Sequence, residues 1–186
     1  TNLKTVFDLG NLFLTGVYPN NNKNQITKGP LQLVQCFSNN GCRLVQLNHS
    51  YNLNELYGEN YGYRSGLNPS MVKHLKSNIN NILNKYPPKS KIPCIIDIGS
   101  NDGTTLKLFP KNAKFHLCGI DPTIKKFKKY YPKHIKCIDD FFSFKILKEK
   151  FLKNNKADII TSFSMFYDLE NPLKFIKDIY KSLSKE

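Results

Sequence analysis

From residue 94 onward, short apolar runs alternate with longer stretches of helical spacing. Cys94, Ile95, Ile96 and Ile98 enclose one acid, Asp97, which is the pattern of a parallel strand covered on both faces. Similar runs occupy residues 115–120, 135–138 and 157–161. Apolar residues at three- and four-residue spacing follow over 104–109, 123–131, 143–154 and 173–183. Strands alternating with helices predict an α/β fold, a Rossmann-like doubly wound parallel sheet. With only four strands, the sheet reads as incomplete. Each strand runs into a polar segment: residues 99–103, Asp121-Pro122, residues 139–142 and residues 162–167. In such sheets ligands bind beyond the carboxyl ends of the strands.

The first 57 residues lack any long helical period. Residues 3–14 are apolar-rich but interrupted by Gly10, and residues 20–24 are a polar loop. Residues 31–36 and 42–47 alternate like strands around Asn39-Asn40-Gly41, which predicts a β-hairpin. One cysteine sits near each inner end, Cys36 and Cys42. A zinc knuckle or ribbon presents two thiolates this way. The five residues between them exceed the usual spacing, a tetrahedral site needs two more ligands, and His49 is the only local third candidate. Two free thiols on a hairpin is the competing reading. Tyr57-Gly58-Glu59-Asn60-Tyr61-Gly62-Tyr63-Arg64 reads either as a binding-site loop or as a packed connection. Residues 69–86 read as a helix capped by Ser70, with Met71, Leu75, Ile79, Ile82 and Leu83 on one face and Pro87-Pro88 as its stop. The division expected is therefore 1–57, a partial zinc-binding-like domain; 58–90, linker and helix; and 91–186, a ligand-binding core.

Composition changes this picture little. The net charge of +14 invites a nucleic-acid partner, but Arg43 and Arg64 are the only arginines among 28 basic residues. Specific nucleic-acid sites favour the arginine fork, so solvated lysines in a Lys/Asn-rich background explain the charge more simply. No run is apolar enough to span a bilayer and no signal peptide opens the chain, so a cytoplasmic location is expected. Five cysteines, an odd number, argue against a disulfide framework. Cys94, Cys118 and Cys137 fall in apolar runs and are expected to pack in the core. The chain opens at Thr1 without an initiator Met, which reads as a fragment or a processed product.

The ligand at the strand ends is constrained by charge and shape. Gly99-Ser100-Asn101-Asp102-Gly103 lacks the middle glycine of a dinucleotide turn, and the Asn101 side chain would crowd a pyrophosphate. Three of the four strand-end groups carry acids, which suits a ligand with hydroxyls, an amine and a cationic centre. S-adenosylmethionine has all of these and no phosphate. Asp121 lies 22 residues after Gly99, at a strand end, where it can accept from ribose hydroxyls. Asp140 can accept from the adenine amine, and Phe141 can stack. Pro122, Phe142, Ser162 and Phe163 complete the expected pocket with Asp97 and the turn itself. The competing view is that the acids merely cap the helices that follow.

The motifs Ile96-Asp97-Ile98-Gly99-Ser100-Asn101-Asp102-Gly103, Gly119-Ile120-Asp121-Pro122, Asp139-Asp140-Phe141-Phe142-Ser143 and Ala157-Asp158-Ile159-Ile160 resemble those of the sugar C-methyltransferase family. Upstream, residues 30–47 resemble the second half of that family's N-terminal zinc-binding domain, and residues 61–75 its linker. The resemblance implies a class I methyltransferase domain, S-adenosylmethionine as cofactor, zinc on Cys36 and Cys42, and a small-molecule nucleotide-linked keto-deoxysugar as substrate. The implied reaction removes the proton beside the keto group, and the enolate attacks the cofactor's methyl. Tyr63, His74 and Tyr167 are the candidates for proton transfer and for steadying the enolate oxygen. The family's first zinc cysteine pair has no counterpart here, and its C-terminal catalytic segment is expected beyond Glu186. Two alternatives stand beside it: a non-catalytic cofactor- or zinc-binding module, and, from charge alone, a nucleic-acid methyltransferase.

Overall fold

The computed structural model describes residues 2–18, 26–58, 60–111 and 114–185. The chain forms two compact units, Thr1–Tyr63 and Arg64–Glu186. The expected loop at residues 20–24 lies outside the described residues.

In the first unit, strands β1 (Leu3–Phe13), β2 (Lys28–Cys36) and β3 (Val45–Leu47) form an antiparallel sheet in that order. The expected hairpin is β2–β3, with Leu33 opposite Leu47 and Gln35 opposite Val45. β1 is an addition to the expected elements: its pairing with β2 shifts register twice, between Thr5 and Phe7 and between Asp8 and Asn11. Those bulges, with Gly10 at φ 70°, break the two-residue period that marks a strand. Asp8 accepts from Gly10 N–H and Gln32 Nε2, and Asn48 Nδ2 in turn donates to Gln32. A short helix, α1 (Leu53–Tyr57), follows, capped by Asn52. The Tyr/Gly-rich stretch is a packed connection: Tyr18 N–H donates to Asn60 O, Gly62 N–H to Gly16 O, and Tyr57 meets Tyr61 edge-on.

The second unit begins with α2 (Pro69–Lys85). Its cap is Asn68, whose Oδ1 accepts from Ser70 and Met71 N–H, rather than Ser70 itself. Strands β4 (Cys94–Ile98), β5 (His116–Ile120), β6 (Lys136–Ile138) and β7 (Ile159–Ser162) form a parallel sheet in the order β6-β5-β4-β7. Side chains alternate between its two faces. Ile95 and Leu117 join Ile79 of α2, Leu106 and Phe109 on one side. Ile96, Ile98, Cys118 and Ile120 join Leu147, Leu152 and Phe175 on the other. Both faces are covered, as the apolar runs required.

The helices between the strands are shorter than their spacing predicts. α3 (Thr104–Lys107) and α4 (Ile124–Phe127) are single turns, the latter continued by a 3-10 turn over Lys128–Tyr130. α5 (Phe144–Leu147) widens into a π-helix over Lys148–Leu152, ended by Lys153 at φ 53°. The last helix, α6 (Pro172–Ser182), is capped by Asn171 and packs Phe175 inward. The strand order reverses at β4: the chain runs outward through β5 and β6, then returns to the other side of β4 with β7. That switch point opens the crevice where open α/β sheets hold ligands. Among the described residues no helix is long and apolar enough to cross a membrane.

Candidate cofactor site

The turn after β4 has an unusual backbone. Gly99, Asn101 and Gly103 take φ of 70°, 49° and 73°. Asn101, the departure from a dinucleotide pattern, is tolerated because asparagine enters the left-handed region more readily than most residues. A Cβ on Gly99 would meet Met165 Sδ at 3.2 Å, so the space over this glycine is bounded by one flexible side chain from the segment after β7.

The side chains beneath the turn are closed on one another. Asp97 is 2% exposed, its Oδ1 accepts from Thr161 Oγ1 at 2.6 Å, and Thr105 bonds it as well. Burial pushes its carboxyl up to about 7, only partly opposed by these two hydroxyls. Asp102 is fully buried and accepts from Thr104 Oγ1, from Arg64 Nε at 3.1 Å and from Gly66 N–H. Burial alone would raise it; Thr104, Arg64 and Lys107 outweigh that and hold it below the usual carboxylate range. Asp97 and Asp102 were both expected to line the ligand. Their polar atoms are instead spent inside the protein, because both point into the packed side of the turn, where an unpaired carboxylate is too costly.

Asp121 faces the turn. Its Oδ2 accepts from Asn101 N–H at 2.9 Å, and its Oδ1 from Thr123 N–H and Oγ1. The helix-capping role and the ligand role are therefore not exclusive: Oδ2 accepts from Asn101 N–H and keeps a second lone pair. Ser162 is the last residue of β7. It pairs with Ile98 in the sheet register, and its hydroxyl is buried without a hydrogen-bond partner. A buried orphan hydroxyl beside a left-handed turn at the switch point fits a polar ligand better than a closed core.

The remaining expected positions divide. Asp140 Oδ1 accepts from Phe141 N–H, while Oδ2 pairs with Lys150 at 3.2 Å in a half-exposed contact. Pro122 and Phe141 are half-buried at the strand ends. Phe142 packs edge-on against Phe175 at 5.2 Å and Phe163 against the Ile79–Ile95 cluster, so both rings contribute to the core. Each of the three proton-transfer candidates is exposed. His74 is exposed on α2 and bonded to Asn78, Tyr63 is 43% exposed beside Tyr61, and Tyr167 is 77% exposed past β7.

Two supports went unread in the sequence. Arg64 starts a strap whose guanidinium stacks on Tyr130 at 3.6 Å, while Ser65 N–H donates to Asn101 Oδ1. Tyr131 donates to Asn101 O at 2.8 Å and meets Ser100 Oγ at 2.8 Å. Only the glycines that make room for its ring, Gly103 and Gly119, could have signalled it.

In the first unit, Cys36 is buried and Cys42 exposed. Backbone N–H groups hold the Cys36 thiol below its ordinary value, Ser38 first, with Cys42 and Arg43 behind, despite burial. That environment suits a thiolate, and hence a zinc ligand. His49 instead lies by Asp8. Among the described residues no group of three or more His, Cys, Asp or Glu side chains comes together, so these two thiols are at most half of a tetrahedral set.

Comparison with known proteins agrees with both units. A family described as "Putative zinc binding domain" matches residues 1–57. No curated protein matches the chain. Among solved structures, the plantazolicin methyltransferase BpumL in complex with a triazolic desmethylPZN analog and SAH is 21% identical, with TM-score 0.49 over 66% of this chain and 46% of that one. YjhP from E. coli is 13% identical, with TM-score 0.40 over 60% of this chain and 45% of that one. The chain thus spans less than half the length of these two structures. A methyltransferase-domain family matches residues 71–186, from within α2 through the sheet and α6. Class I methyltransferase domains take S-adenosylmethionine as methyl donor, and the turn, Asp121 and the orphan Ser162 hydroxyl fit it. The chain belongs to the methyltransferase-domain family.

Proposed function

We propose that the chain takes part in S-adenosylmethionine-dependent C-methylation of a nucleotide-linked keto-deoxysugar, with residues 91–186 as its cofactor core and residues 58–90 as linker and helix. The observation that carries the cofactor part is the buried, unpartnered Ser162 hydroxyl at the end of β7, the strand paired with β4 where the left-handed turn begins. The sugar part is supported by the succession of motifs at three strand ends and at the start of β7, behind a segment that matches a zinc-binding family.

When bound, S-adenosylmethionine supplies an electrophilic methyl on a sulfonium centre. The chain's own residues orient it. Asp121 Oδ2 accepts from a ribose hydroxyl, and the 99–103 backbone accommodates the amino-acid end. Ser162 donates to a polar atom at the inner wall. Asp140 is poised to exchange its exposed Lys150 contact for the adenine amine, an exchange of small net cost. Tyr167, exposed past β7 near the mouth of the crevice, is the residue here best placed to donate to an enolate oxygen.

The test is to incubate the protein with S-adenosylmethionine and a nucleotide-linked keto-deoxysugar in D2O. Addition of one methyl and exchange of the proton beside the ketone, both read by mass spectrometry, are expected. A methyl on oxygen or nitrogen would contradict C-methylation. A second reading, a cofactor-binding module without turnover, is favoured by the lack of a buried, oriented base among Tyr63, His74 and Tyr167. It predicts cofactor binding with neither exchange nor transfer.

A further inference from the structure

A turn with three of five residues at positive φ has no regular hydrogen-bond ladder to hold it. Within it, Gly103 N–H donates to Ser100 O, and Thr104 N–H and Oγ1 donate to Asp102 Oδ1. The Arg64 strap steadies the Asn101 and Asp102 side chains. The Asn101 peptide is held separately, its N–H by Asp121 Oδ2 and its carbonyl by the Tyr131 hydroxyl at 2.8 Å. Because Tyr131 donates to that carbonyl, it accepts from Ser100 Oγ at 2.8 Å, and its hydroxyl is fully used. The ring is fixed as firmly. A Cβ on Gly103 would meet it at 2.7 Å and one on Gly119 at 3.1 Å. The second turn glycine, which in a ligand cradle is ordinarily read as space for the ligand, is here space for Tyr131.

We infer that Tyr131 is a positioning residue for the methyl donor: through Ser100 and the Asn101 carbonyl it fixes the 99–103 turn and, with it, the orientation of Asp121. This rests on the cofactor site proposed above. In this role Tyr131 acts through the turn. It holds the peptide that Asp121 also holds, so loosening one end of Asn101 loosens the acid that meets the ribose.

The test is Tyr131→Phe, which keeps the ring in its glycine slot and removes only the hydroxyl. Calorimetric titration with S-adenosylhomocysteine is expected to show affinity about tenfold weaker than wild type, the scale of one lost buried hydrogen bond. Hydrogen exchange separates positioning from general stability. In the free variant the amides of residues 101–103 should exchange faster, those of β6 should not change, and saturating ligand should restore the turn. Uniformly faster exchange that persists with ligand would indicate a structural role and overturn the inference. So would affinity within about twofold of wild type. If Tyr131→Phe does not fold, Ser100→Ala removes one of its two partners. That variant should show a smaller loss with the same local exchange, and unchanged turn exchange would overturn the inference. Wild type that binds no S-adenosylhomocysteine sinks the cofactor site itself, and this inference with it.

Discussion

Asp97 offers the sharpest test of how the site is supported. It sits in the central strand, 2% exposed, with its carboxyl raised from 3.8 to about 7 by burial. The Thr161 and Thr105 hydroxyls relieve part of that, and Asp121 adds repulsion. The folded state therefore binds a proton that the unfolded state releases between about pH 4 and pH 7. A raised carboxyl stabilises most fully below its unfolded value, and that contribution disappears as pH climbs through the folded value. The gap between 3.8 and about 7 corresponds to about 4 kcal/mol lost across that window. Asp97→Asn keeps the shape and the acceptor for Thr161 but cannot ionise. Urea unfolding followed by circular dichroism from pH 4.5 to pH 8 is the assay. The stability of Asp97→Asn relative to wild type should improve steadily over this range, by a few kcal/mol in total, and level off above pH 7. A difference that does not vary with pH would refute the account of a buried, proton-holding carboxyl.

Further outcomes follow from the same packing. Asp102 is held low by its partners, so its contribution is present above 3.8 and lost as pH falls through its folded value. Asp102→Asn should destabilise at pH 7 by about 1–3 kcal/mol, with the deficit shrinking toward pH 3 in denaturant titrations. Phe142→Ala should cost about 3–5 kcal/mol in thermal or urea unfolding, the range for a core aromatic, if its ring packs on Phe175 as seen; a cost under about 1 kcal/mol would return it to the pocket. Cadmium added to the reduced protein should give a weak thiolate absorption that is abolished in Cys36→Ser, since among the described residues the hairpin brings no third ligand to Cys36 and Cys42.

How much of this was legible in the sequence depends on whether a feature is local. The β4 run, the turn after it and the alternation of strands and helices are short-range patterns, and they are where the sequence places them. The position of Asp121 beside the turn was legible because it follows directly from a strand end. Tyr131 was not: it acts on a turn 30 residues earlier, and only the small size of Gly103 and Gly119 records that contact. Arg64 was read as part of a linker for the same reason, its partner Asp102 lying 38 residues away. The core packing of Phe142 and Phe163 was not legible because strand-end aromatics serve core and pocket alike, and which way a ring turns depends on α2 and α6. β1 escaped notice because its two bulges destroy the period. The long helix expected over 143–154 became one α turn plus a π-helix, a change of hydrogen-bond register that apolar spacing does not reveal.

The central claim, that the turn after β4 together with Asp121 holds the methyl donor, is tested most directly by titrating the protein with S-adenosylhomocysteine by calorimetry, wild type beside Asp121→Ala. Saturable one-to-one binding by the wild type is expected, weakened at least about tenfold by the substitution, because both the ribose acceptor and the Asn101 N–H partner are removed. Absence of binding by the wild type, or equal affinity in the two proteins, would contradict it.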